Sequence, residues 1–107
     1  MPKYLIRAKY TLEGVKGLTK GGGGTARRTA VKESLEGLGG KLEAFYFAFG
    51  ETDAYVIAEL PDNVAAAALS NAVNSAGGAQ VEGTVLITAE EMDEAVKRQV
   101  KYRAPGQ

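Results

Sequence analysis

The 107-residue chain contains no cysteine and no histidine. Without them it lacks the usual ligands of zinc and haem, thiol redox chemistry and every His-based nucleophilic triad. It also lacks an excess of either charge, since thirteen Lys and Arg balance thirteen Asp and Glu. A nucleic-acid or membrane-surface binder normally shows a basic surplus, so neither partner is expected. No apolar run approaches the length of a membrane span, and Arg7 and Lys9 interrupt the N-terminal stretch too early for a signal peptide. These absences lead to the expectation of a cytoplasmic protein with no cofactor.

What is present suits one small soluble domain over residues 1–107, with 101–107 as a tail. The hydrophobic share of 45% and charged share of 24% are ordinary for a globular chain. A domain of this length buries only a modest share of its surface, so self-association is a natural source of further stability.

Residues 3–10 alternate, with Tyr4, Ile6, Ala8 and Tyr10 on one side and Leu5, Arg7 and Lys9 on the other, which is the period of a strand. Thr11 can cap a short helical piece carrying Val15 and Leu18, which the run Gly21–Gly24 interrupts. Thr25 is the expected N-cap of a second piece with Val31, Leu35 and Leu38 on one face, ending at Gly39–Gly40. Residues 41–49 and 54–60 read as two strands joined in a hairpin across Gly50-Glu51-Thr52-Asp53. Pro61-Asp62-Asn63 opens an alanine-rich helix that ends at Gly77-Gly78, and a fourth strand follows at about 80–87. Thr88-Ala89-Glu90-Glu91 matches a capping box before a last helix, acidic at its start and basic at its end. The order is β-α-β-β-α-β plus a C-terminal helix, which predicts an α+β fold of ferredoxin-like type with a four-stranded antiparallel sheet.

Strict alternation sorts the strand residues onto two faces. Tyr4, Ile6, Ala8, Leu42, Ala44, Tyr46, Ala48, Ala54, Val56, Ala58, Val81, Val85 and Ile87 form a core face suited to close packing under the alanine-rich helix. The opposite face then holds Leu5, Phe45, Phe47, Phe49, Tyr55, Ile57 and Leu86 beside Arg7, Lys9, Glu43, Glu59, Glu82 and Thr84. Such a face is too apolar for water and too charged for a dry core. It predicts a sheet that packs against a second copy of itself and encloses a partly polar cavity; the competing arrangement is the last helix folded across it.

The residues that carry the second strand and its surroundings resemble a known family. Met1-Pro-Lys-Tyr-Leu-Ile6, Thr11-Leu-Glu-Gly-Val-Lys-Gly-Leu18, Gly39-Gly-Lys-Leu-Glu-Ala-Phe-Tyr-Phe-Ala-Phe-Gly50, the Leu60-Pro-Asp-Asn63 block and the Tyr102-Arg103…Pro105-Gly106 ending are similar to the GYD-domain family. The Gly-Tyr-Asp motif of that family stands at Gly50-Glu51-Thr52-Asp53, where Thr52 replaces the tyrosine. The resemblance implies a dimeric α+β-barrel arrangement of two ferredoxin-like sheets. Relatives in that larger group include cofactor-free oxygenases, isomerases, haem enzymes and amino-acid-sensing modules, so the resemblance implies a fold and not one activity.

Three groups of residues are candidates for chemistry. Asp53, Tyr55 and Glu59 form a tentative catalytic set, a carboxylate base with a tyrosine proton donor, although an aspartate after a glycine turn more often binds backbone N–H groups. Arg7 and Glu43 with Phe45 and Phe47 form a candidate ligand site, in which the charges orient a partly aromatic molecule above the rings. Their competing role is an interface with Arg7 paired to a glutamate. Thr25, Arg27 and Arg28 after the glycine run make a weaker candidate anion site, without the Gly-Lys-Ser/Thr element of a nucleotide loop. The acidic cluster at 90–94 is explained by capping and the helix dipole rather than by a metal. The leading expectation is a homo-oligomeric ligand-binding module, ahead of a cofactor-independent oxygenase or isomerase and of a structural self-assembly subunit.

Overall fold

Alternation and capping resolve into eight elements in the computed structural model, which covers residues 1–107. They are β1 (Lys3–Tyr10), α1 (Leu12–Lys20), α2 (Gly23–Gly37), β2 (Lys41–Phe47), β3 (Ala54–Glu59), α3 (Asn63–Ala76), β4 (Ala79–Leu86) and α4 (Ala89–Lys97). The result is a mixed α+β fold with one open antiparallel sheet in the order β2-β3-β1-β4.

The helix starts are set by short polar side chains that take up orphan amides. Thr11 Oγ1 accepts from the Gly14 amide at 3.1 Å and Asp62 Oδ1 from the Ala65 amide at 2.8 Å. At α4 both halves of the capping box form, with Glu91 N–H on Thr88 Oγ1 at 3.0 Å and Thr88 N–H on Glu91 Oε1 at 2.8 Å. The second helix departs from expectation. Its N-cap is Gly22 at φ 95°, so α2 begins inside the glycine run and Thr25 caps nothing. Glycine adopts the left-handed turn without a Cβ penalty, which moves the start three residues upstream of the nearest side-chain capper.

The core lies between one sheet face and the helices α2 and α3. Tyr4, Leu35, Val56, Ala58 and Leu60 form its buried centre, with Ile6, Val31, Phe45 and Leu69 packed around it. Pairing gives three rows on this face: Leu42–Ala58–Tyr4–Val85, Phe45–Val56–Ile6–Gly83 and Phe47–Ala54–Ala8–Val81.

Two of those rows contain phenylalanines that strict alternation assigns to the other face. The register between β2 and β3 shifts between Leu42 and Ala44, so that Leu42 faces Ala58 while Ala44 faces Ile57. One extra residue in β2 inverts the parity of everything after it. Phe45 and Phe47 therefore turn toward the helices, their rings 5.0 Å apart in an edge-to-face arrangement. Ala44 and Tyr46, expected inside, turn outward, and Tyr46 is 72% exposed. Val85 and Ile87, also expected in the core, are both more than half exposed where the sheet outruns its helical cover.

The last helix does not fold across the sheet. Every residue from Ala89 to Arg103 is exposed, and α4 stops at Lys97 because Arg98 is extended at ψ 130°. The molecule is 57 Å long in its greatest dimension, and its radius of gyration of 16.9 Å exceeds the about 13 Å of a compact domain of this size.

Candidate functional site

Three places in the fold gather polar side chains or open space. The first is a cavity of about 110 Å³ between the core face and the two covering helices. Tyr4, Ile6, Phe45 and Val56 floor it, and Val31 and Leu69 roof it. Its walls are almost wholly apolar, so it favours an apolar occupant. One full cation reaches it: Arg27, one helical turn before Val31 on α2. The Arg27 Nε is shielded from solvent and no protein acceptor reaches it. Arg28 is exposed and absent from the lining, because adjacent helical residues point about 100° apart. Thr25 is exposed too, and its carbonyl accepts from Thr29 Oγ1 at 3.1 Å. The expected trio of Thr25, Arg27 and Arg28 is thus not assembled, and Arg27 alone meets a cavity.

The second place is a cleft of about 820 Å³ between α1 and α2 on one side and α3 on the other. Small residues line much of it, among them Gly17, Ala30, Ala68 and Ala72, and it shares Arg27 and Leu69 with the first cavity, which opens toward it. Glycine is needed at its closed end, where a Cβ on Gly14 would lie 1.8 Å from the Gly78 carbonyl oxygen. A Cβ on Gly24 would lie 2.9 Å from Phe47 Cε2, so glycine also lets that ring approach α2.

The third place is the uncovered sheet face, ordered in three rows across the strands. Tyr46–Tyr55–Arg7–Glu82 form one row, Ala44–Ile57–Leu5–Thr84 the next, and Lys41–Glu59–Lys3–Leu86 the last. An apolar strip thus lies between two charged ones. Arg7 Nη2 donates to Glu82 Oε2 at 3.2 Å, while Arg7 Nε is shielded and unpartnered. Lys3 pairs with Glu43, and this hydrogen bond, helped by the Glu43 and Glu59 charges, raises the Lys3 ammonium above its ordinary 10.5. A polar depression of about 470 Å³ at the Tyr55 end holds Arg7, Lys9, Phe49 and Thr52.

Of the tentative catalytic set, Tyr55 and Glu59 share this face but stand in its first and third rows. Asp53 immediately precedes β3 and is bound to the end of β1. Its Oδ2 accepts from the Tyr10 amide at 2.7 Å, and its own amide donates to the Ala8 carbonyl at 2.9 Å. That is the turn-holding role, in which the carboxylate ties the hairpin to the end of β1. Of the ligand-site candidates, Arg7 and Glu43 remain on the open face while Phe45 and Phe47 line or border the opposite one. No three acidic side chains converge in a way that could hold a metal ion.

Alternation missed the cavity for a specific reason: its aromatic floor comes from the inverted half of β2, and its rim from the helix-spaced pair Arg27 and Val31. That i, i+4 spacing was the available sequence signal. No helix is long and apolar enough to cross a membrane. No curated protein and no solved structure matches the chain. The model of the GYD domain matches residues 4–96, which include the whole sheet but for Lys3 and every residue lining the first cavity, and the chain belongs to the GYD domain family.

Proposed function

We propose that the protein is a small-molecule-binding module that works as a homodimer of the dimeric α+β-barrel type, with one ligand held in each protomer between sheet and helices. The observation that carries this reading is the mostly apolar pocket between the core face and the covering helices, of about 110 Å³. A close-packed domain this small has few voids of that size, because each forfeits dispersion contacts and costs stability. The order β2-β3-β1-β4 with helices on one face supports the ferredoxin-like topology within this reading.

The open face supports the dimer. Its central apolar strip, flanked by rows bearing both charge signs, is self-complementary under a two-fold axis. The exposed α4, with Met92 and Val96 outward, supplies a further surface for the second copy. Binding ranks above catalysis because Asp53, one of the two candidate bases, is already engaged by a backbone amide, while Tyr55 and Glu59 stand two rows apart.

Two measurements test this reading. Sedimentation at micromolar concentration should give twice the chain mass, and Arg7→Glu should shift the population toward monomer; a wild-type monomer refutes the dimer. Ligand-observed NMR against a library of small apolar molecules should yield hits that Ala66→Leu, which fills the cavity, abolishes. Hits indifferent to that substitution refute the cavity as the binding place.

A further inference from the structure

The chemistry around Arg27 narrows what the cavity takes. Burying a guanidinium N–H without an acceptor is costly, and native proteins rarely leave one so. No carboxylate pairs with Arg27, although Glu13 lines the same cleft. The ion pairs of the molecule are Lys3–Glu43 and Arg7–Glu82, both on the open face. Glu82 also borders the cavity, at the exposed edge strand β4, but its carboxylate is held by Arg7. Neither nearby serine hydroxyl bonds Arg27: Ser34 Oγ donates to the Ala30 carbonyl and Ser70 Oγ accepts from Asn74. No acidic residue occupies the first turn of α2, so the positive end of the helix adds to the Arg27 charge.

From this we propose that the cavity binds a small monocarboxylate with a compact apolar body, its carboxylate on the Arg27 guanidinium and its body on Phe45, Val56 and Leu69. The proposal rests on reading the cavity as the ligand site and names the ligand class. Volume sets the body: an apolar cavity of about 150 Å³ takes benzene, so about 110 Å³ suits a ring or branched chain of roughly five or six carbons. Charge sets the head. Arg27 is the only cationic residue lining either the cavity or the adjoining cleft, which matches one negative charge better than the nearly two of a phosphate monoester. The guanidinium head agrees, because its two Nη groups can pair with the two oxygens of a planar carboxylate. The cleft that shares Arg27 provides the entry path, so the body enters first and the carboxylate stays at the rim.

The test uses the full chain and three probes, benzoate, toluene and inorganic phosphate, each titrated while amide shifts are recorded by NMR. Benzoate is expected to shift the amides of Val31, Phe45 and Leu69, and Arg27→Gln to weaken it by on the order of tenfold or more. Arg27→Lys should recover only part of the loss, since an ammonium lacks the planar fork. Toluene should shift the same amides with an affinity that Arg27→Gln leaves unchanged. If benzoate binds as before in Arg27→Gln, the cavity is a plain apolar site: the carboxylate inference falls and the ligand-binding reading stands. If phosphate displaces benzoate at equal concentration, the apolar body is irrelevant and the inference falls. If neither benzoate nor toluene moves the cavity amides, both readings fall together.

Discussion

Exchanging the roles of neighbouring residues in β2 gives the sharpest test of the fold. Phe45→Ala removes a half-buried ring from the core face and its edge-to-face contact with Phe47. A fully buried Phe→Ala change costs about 3–5 kcal/mol, and such an aromatic pair about 0.5–1.5 kcal/mol beyond its area. Scaling the first for half burial and adding the second gives a loss of about 2–4 kcal/mol. Against a total stability of about 5–15 kcal/mol, that moves a urea midpoint by roughly 1–2 M at an ordinary slope. Tyr46→Ala, one residue along, removes a side chain that is 72% exposed on the open face. In the monomer it should cost within about 0.5 kcal/mol. Equilibrium urea unfolding, followed by circular dichroism at two protein concentrations a hundredfold apart, separates the effects. The Phe45→Ala loss should be independent of concentration. Any Tyr46→Ala loss should appear only at the higher one, where mass action favours the dimer. Equal losses at low concentration, or a larger loss at Tyr46, would refute the shifted register and restore simple alternation.

Asp53→Ala should cost about 1–2 kcal/mol by stranding the Tyr10 amide, and Asp53→Asn, which keeps an acceptor, should recover most of it in thermal melts; equal losses would point to a role for the charge itself. Gly14→Ala should destabilise more than any exposed alanine substitution in α1, because the new Cβ would lie 1.8 Å from the Gly78 oxygen; an unchanged melting temperature would contradict that approach. The Lys3–Glu43 pair favours the protonated ammonium in the folded state. Its contribution is therefore fully present below pH 10.5, fades as the pH rises through the raised value, and shrinks with added salt. Lys3→Met should lower stability slightly at neutral pH, where the pair is intact, and flatten the alkaline fall in a pH titration of stability.

Most of the element order was legible because each signal is local. Thr11, Asp62 and the Thr88–Glu91 box are contacts within one turn of chain, and β1 and β3 alternate without interruption. The inverted half of β2 was not legible. Residues 41–47 contain no glycine or proline to mark an irregularity, and both parities of the run carry aromatic or small side chains. Only the partner strand fixes where the extra residue falls, and pairing is a long-range property. The start of α2 escaped for the opposite reason. Four glycines allow several starts of similar backbone cost, and docking against β2 and Phe47 decides among them. The candidate site followed the same division. Arg7 and Glu43 were placed correctly on the open face, Phe45 and Phe47 were not, and Arg27 lines the cavity without Thr25 or Arg28.

The irregularity in β2 has a consequence for how such a protein changes over generations. Substitution alters one side chain at a time, but loss of a single residue between Leu42 and Ala44 would re-phase the strand. Phe45 and Phe47 would pass to the open sheet face, and Ala44 and Tyr46 to the chamber under the helices. The lining of the chamber and the outer surface are therefore inherited as a pair, exchangeable by one codon deletion. A lineage that keeps this spacing keeps both at once, and one that loses it must rebuild both.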